Sequence, residues 1–359
     1  PAYHLPQAIK FNDVLAKGHG QPVNEVSPAS EDVAVLQYTG GTTGVAKGAM
    51  LTHRNLVANM LQCKALMGSN LNEGCEILIT PLPLYHIYAF TFHCMAMMLI
   101  GNHNILISNP RDLPAMVKEL SKWKFSGFVG LNTLFVALCN NEGFRKLDFS
   151  ALKVTLSGGM ALQLAAAERW KAVTGCAICE GYGMTETMAA THMNPKARSK
   201  SQCLGIPAFD VDSRVIDSTT GLELAPHEVG EIVCRGPQVF KGYWRLPQDT
   251  EKAFIELEGK RFLRTGDLGY YDEDGYFFMV DRIKRMINAS GYKVWPSEVE
   301  SLMYRHPAIK QCCVISSPDA RRGEAVKALV TLHPGQQDTT ASDIIEWCKA
   351  NMSAYKVPV

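Results

Sequence analysis

YTGGTTGVAKGAM, residues 38–50, follows the apolar run VAVLQYT (33–39) and precedes the helically spaced THRNLVANMLQCKALM (52–67). Strand, glycine-rich loop and helix, in that order, let a backbone wrap around phosphate. Gly40, Gly41, Gly44 and Gly48 allow tight turns and close approach. Thr39, Thr42 and Thr43 add hydroxyl donors, and Lys47 adds a cation. The NTPase P-loop pattern GxxxxGK[ST] is not met, because Lys47 stands between Ala46 and Gly48. A polyphosphate site of another kind is the expectation.

Outward from this loop, strand-length apolar runs alternate with helical stretches. The runs are EILIT (76–80), HNILIS (103–108), FSGFVG (125–130) and LKVTLS (152–157). The helical stretches are 87–100, 113–123, 133–141 and 161–173. Thr52 is a fitting N-cap, Asp112 caps a helix with Pro114 in its first turn, and Gly175 ends another. Repeated βα units predict an α/β protein with a doubly wound parallel sheet whose ligands bind beyond the carboxyl ends of the strands. After about Glu180, turn signals such as DSTTGLE (217–223) and DEDG (272–275) separate short strands, which predicts a β-rich lobe. Charge and glycine rise through VDRIKRMINASGYKV, and an α+β pattern follows. The expected domains are residues 1–280 and a small C-terminal unit, 281–359.

Composition excludes several function classes. At 359 residues, with 47% apolar and 20% charged, the chain is globular rather than disordered. A net charge of +1 offers no surplus to neutralise a row of phosphates, so no nucleic-acid partner is expected. The uncharged run Ile77–Gly101 is broken by Pro81 and Pro83 and holds His86 and His93, so it predicts a buried strand, a turn and a helix rather than a membrane span. PAYHLPQAIK, at the start, lacks the apolar core of a signal peptide. Eleven irregularly spaced cysteines with one lone CxxC, Cys176 and Cys179, predict reduced thiols in a cytoplasmic protein, with no zinc.

The string TGGTTGVAKGAMLTHRNL resembles the signature of the AMP-forming adenylating enzymes, nearest to their bacterial long-chain fatty acyl-CoA synthetase branch. The resemblance implies a large AMP-binding domain, a mobile C-terminal domain, and ATP, Mg2+ and CoA as cofactor and substrates. It implies two steps: a fatty carboxylate attacks ATP to give acyl-AMP and pyrophosphate, and the CoA thiol then displaces AMP. The alternative acceptor is a carrier protein, as in fatty acyl-AMP ligases. Preorganised donors on the Gly/Thr loop suit the charge developing on pyrophosphate.

Other motifs follow in the family's order. Glu186, in GYGMTET (181–187), is an acid at the end of a predicted strand, where one carboxylate can join phosphate oxygens around Mg2+. By resemblance Glu186 binds Mg2+, Thr185 the AMP phosphate, and Tyr182 and Gly183 lie against adenine. Gly158 and Gly159 in SGGM end the preceding strand; Gly-Gly turns are common, and the adenine role comes from the resemblance. Asp267 in RTGD and Arg282 in VDR are the implied ribose contacts. His86 in PLYHIYAF is the implied carboxylate-lining residue, and Phe90 stands where some relatives carry an aromatic gate. Asn132, in VGLNTLF, stands where aryl-acid relatives often carry Pro, so the resemblance implies an aliphatic substrate. Lys284 is the implied hinge, and Gly291 lines the implied pantetheine tunnel. The family's catalytic lysine is expected beyond SAYKVPV, Lys356 not being it, and a further N-terminal part is expected upstream. Peripheral contact with a membrane and a homodimer complete the expectations.

Overall fold

Short runs that are apolar on both faces build the largest sheet. The computed structural model describes residues 6–23, 25–39, 46–319 and 323–359. Its first strands are β1 (Val33–Thr39) and β2 (Lys47–Thr52). β3 (Ile77–Thr80), β4 (His103–Leu106), β5 (Gly127–Gly130), β6 (Val154–Gly158) and β7 (Ile178–Tyr182) run parallel, ordered β4-β3-β5-β6-β7. β8 (His192–Met193) and β9 (Ile206–Pro207) extend that sheet antiparallel. Strand alternation sends Leu78, Val129 and Leu156 into one core with Met67, Phe92 and Met97. Ile79 and Phe128 enter another with Phe135, Phe144 and Trp170. Helices cover both faces, as a parallel sheet requires.

The predicted helix punctuation is present. Thr52 and Asn55 form a reciprocal capping box at the start of helix His53–Met67. Asp112 caps Leu113–Leu120, and Gly175 closes Leu164–Thr174 at φ +74°.

One local expectation is corrected and another is refined. The Gly/Thr loop does not lead into a helix: Lys47–Thr52 is a strand, antiparallel to β1, with Thr39 opposite Lys47. Its other edge pairs with strand Gly242–Tyr243, so this short run is held on both sides, and the helix begins only after the Thr52 cap. The chain from Lys47 therefore begins as a strand and not as a helix N-terminus. The 87–100 stretch is one helical turn, Ile87–Ala89, followed by a π-helix, Phe90–Met97. Its inward side chains are pinned: His93 Nδ1 lies 3.0 Å from Thr80 Oγ1 and 2.8 Å from Asn104 Oδ1, and Thr91 donates to the Met188 carbonyl at 2.7 Å.

The β-rich lobe is a five-stranded antiparallel sheet of Asp212–Ile216, Gly230–Arg235, Phe254–Leu257, Lys260–Tyr271 and Phe277–Arg282. The C-terminal part packs helices Pro296–Met303 and Ala341–Asn351 with a four-stranded sheet around Ile287, Val299, Met303 and Val326. Asp281, 2% exposed, joins lobe to C-terminal part. Its carboxylate accepts from the Arg282 amide (2.7 Å) and from Ser297 N (2.8 Å) in the first turn of Pro296–Met303. Arg285, 3.6 Å from Asp281, also reaches Glu300 at 2.7 Å. All eleven cysteines are unpaired, Cys176 and Cys179 among the buried ones. Among the described residues, no helix is long and apolar enough to cross a membrane.

Candidate active site

Three residues predicted as nucleotide contacts meet at the edge of the lobe. Asp267, 3% exposed, accepts from the Tyr182 hydroxyl at 2.7 Å and pairs with Arg282 Nε at 3.0 Å. Strand pairing sets Asp267 directly opposite Arg282. Burial pushes the Asp267 carboxyl above its usual range, while Arg282 and the Tyr182 hydroxyl act against that push. The RTGD turn has its own support, which the sequence reading missed. Glu231, 1% exposed, accepts from Arg264 (2.6 and 2.9 Å) and from the Gly266 amide (3.1 Å). A fixed carboxylate with one cation at its side can accept two neighbouring hydroxyls.

A second chain of contacts runs from Glu186 to Lys47. Glu186, 7% exposed in the turn Thr185–Thr187, accepts from the Tyr243 hydroxyl at 2.6 Å. Lys47 Nζ lies 5.2 Å from the Tyr243 ring centroid and is ion-paired with Asp249. Gly40, Gly41, Thr42, Thr43 and Gly44 lie outside the described residues. Among the described residues no cluster of three or more His, Cys, Asp or Glu could hold a metal. A single carboxylate suits Mg2+ bound largely through phosphate and water.

The loop after Glu186 is tightly constrained. Met188 and Ala189 have φ of +54° and +104°. Asn59 clamps Ala190 reciprocally, at 2.7 and 3.1 Å. Asn55 donates to the carbonyls of Pro237 and Val239, and Gln62 to that of Phe209. These three buried amides lie on one stripe of helix His53–Met67. Their i, i+4, i+7 spacing is the signal that could have revealed them.

Glu180 was also missed. It lies on β7 opposite Ser157. Burial pushes its carboxyl up from 4.5 to about 7, against backbone amides of Cys203, Gln202 and Leu162 that lower it. A carboxyl raised in the folded state destabilises as it ionises, so the penalty is absent at low pH and grows as pH rises from 4.5 to about 7. Glu180→Gln should therefore lose less stability than wild type across that window, the difference approaching roughly 3 kcal/mol. Thermal melts from pH 4.5 to 8 check this; parallel pH profiles would refute it.

Residues 3–244 match the family described as AMP-binding enzyme, and residues 298–359 match the AMP-binding enzyme C-terminal domain. The chain belongs to the AMP-binding enzyme family. It is 43% identical to the long-chain-fatty-acid–CoA ligase of Salmonella typhimurium, over all of this chain and 63% of that protein. Its identity to the Bacillus subtilis protein of the same name is 39%, over 91% of this chain and 57% of that one. The chain thus spans less than two thirds of the length of these curated relatives. Its fold matches ATP-bound MatB from Rhodopseudomonas palustris with a TM-score of 0.84, at 30% identity, over 96% of this chain and 67% of that one.

Within this AMP-binding fold the other predicted residues take separate places. Gly158 ends β6, where a Cβ would lie 3.3 Å from both the Gly181 carbonyl and the Tyr88 ring; Gly159 follows at φ +80°. His86 is exposed and caps Ile87–Ala89, its Nδ1 accepting from Tyr88 N at 3.3 Å. Phe90 packs at the edge of the core holding Ala49, Leu51 and Met188. Asn132 accepts from Gln163 N at 3.0 Å. Lys284 lies in the short turn Ile283–Arg285. Gly291 sits at the tip of a hairpin, after Ser290, at φ +89° with no heavy atom within 4 Å of a built Cβ. Its glycine here answers a turn with positive φ rather than a close neighbour. Lys356 is ion-paired with Glu298.

Proposed function

We propose that this protein activates a fatty acid with ATP and transfers the acyl group to CoA. What carries the reading is the buried Asp267 carboxylate, which accepts from the Tyr182 hydroxyl and pairs with the exposed Arg282, in a chain 43% identical to a long-chain-fatty-acid–CoA ligase. In the first step a carboxylate oxygen attacks the α-phosphorus of ATP, the α–β anhydride bond breaks, and pyrophosphate leaves with the electron pair. In the second the CoA thiol gives up its proton, sulfur attacks the acyl carbonyl, and the bond to the AMP oxygen breaks.

Asp267 and Arg282 hold the ribose hydroxyls, and Tyr182, Gly183, Gly158 and Gly159 face the adenine. Thr185 donates to the α-phosphate. Lys47 and Thr39, with Gly40, Gly41, Thr42, Thr43 and Gly44 of the loop, stabilise the leaving pyrophosphate. Glu186 holds Mg2+, which neutralises phosphate charge. His86 lines the carboxylate. Residues 1–280 and 281–359 are the two domains of this reading, turning about Lys284, with Gly291 beside the incoming thiol. The reading includes a cytoplasmic protein, a homodimer that touches a membrane where its lipid substrate partitions.

Synthetic fatty acyl-AMP and CoA should give the thioester. Glu186→Gln should raise the Mg2+ needed for ATP binding about tenfold. Thioester formed on a carrier protein but not on CoA would replace the acceptor. No thioester on either, together with an unchanged Mg2+ titration, would sink the reading.

A further inference from the structure

Lys47 enters the site already engaged. Its ammonium is ion-paired with Asp249 and lies 5.2 Å from the Tyr243 ring centroid. The backbone brings these three groups together. Strand Gly242–Tyr243 pairs with β2, Trp244 N donates to the Gly48 carbonyl at 2.8 Å, and helix Pro247–Lys252 follows at once. The strand therefore delivers Tyr243 to Glu186, and the helix that follows it delivers Asp249 to Lys47. Side-chain exposures of 26% for Lys47 and 37% for Asp249 leave the pair open to water, so it can separate without a core rearrangement. Lys47 holds the Asp249 carboxyl below its usual range, and the charges of Lys252 and Lys284 act in the same direction. Asp249 thus keeps cations in its field after Lys47 leaves.

We propose that Asp249 is a positioning residue that holds Lys47 against Tyr243 while no polyphosphate is bound and yields it when ATP enters. The inference rests on the nucleotide reading given above. Asp249 and a polyphosphate are anions competing for one ammonium, so each weakens the hold of the other. AMP lacks the β- and γ-phosphates and draws on Lys47 less. Asp249 therefore tunes the preference for ATP over AMP through Lys47.

The test is calorimetric binding of ATP and of AMP, each with Mg2+, to the whole chain as wild type, Asp249→Asn, Asp249→Glu, Lys47→Met and the Asp249→Asn/Lys47→Met double variant. Asp249→Asn is expected to tighten ATP roughly three- to fivefold and to change AMP by less than about twofold. Asp249→Glu should keep the wild-type ratio. In the Lys47→Met background, Asp249→Asn should change ATP by less than about twofold, since the effect runs through Lys47. Weaker ATP binding in Asp249→Asn, an unchanged ATP-to-AMP ratio, or equal tightening without Lys47 each overturns the proposal while wild type still binds both nucleotides. Failure of wild type to bind either nucleotide overturns the nucleotide reading, and this inference with it.

Discussion

Gly183→Ala is expected to destabilise the protein by on the order of 4 kcal/mol, or to prevent folded protein from accumulating. A Cβ at position 183 would lie 1.4 Å from the Ala189 carbonyl oxygen, 2.5 Å from its carbon and 3.0 Å from the Ala190 Cα. All three are backbone atoms, so no rotamer change relieves the clash. Nor can the loop retreat. Thr91 holds the Met188 carbonyl, Asn59 holds Ala190 from both sides, and the Thr187 hydroxyl bonds the Met184 amide at 3.0 Å. Gly175→Ala provides the contrast. Gly175 has φ +74° but nothing within 4 Å of its built Cβ. Only the left-handed conformation resists that change, at a cost of about 1 kcal/mol. Urea denaturation of both variants decides it: equal midpoints would remove the Gly183–Ala189 contact from the account.

Asp267→Asn is expected to weaken AMP binding about a hundredfold, near 3 kcal/mol, while the fold persists. The substitution keeps the side-chain shape and one acceptor oxygen. It removes the charge that faces Arg282 at 3.0 Å and that strengthens hydrogen bonds to bound hydroxyls. Stability should change little, because the ion lost is one that burial already disfavours. The two effects separate in a melting experiment: without ligand the variant should melt near wild type, and AMP at a concentration that saturates wild type should raise the variant's midpoint far less. An AMP affinity within about threefold of wild type would remove Asp267 from the ribose contact.

The Asp267–Arg282 contact shows what motif reading reached. The resemblance gives Asp267 of RTGD and Arg282 of VDR to one sugar, and the strands place the two side chains 3.0 Å apart. The resemblance sets the Tyr182 ring against adenine; its hydroxyl donates to Asp267 across 85 residues of chain, a contact that no motif records. Glu231 and Glu180 carry no motif. Each is an acid whose weight comes from partial or full burial in the folded chain, and burial of a single polar side chain leaves no local pattern.

Local order was enough for the parallel sheet, its helices and their ends. Apolar period, an N-cap such as Thr52 and a left-handed stop such as Gly175 all act within a few residues. The strand that follows the Gly/Thr loop was beyond that reach. KGAMLT became a strand because β1 on one side and Gly242–Tyr243 on the other could pair with it, and the second partner is almost 200 residues away. The same long return brought Asp249 to Lys47 and Tyr243 to Glu186. A backbone hydrogen bond or an ion pair depends on which groups end within a few ångströms of each other. That separation is set by packing of the whole chain, and periodicity along it holds no record of the distance.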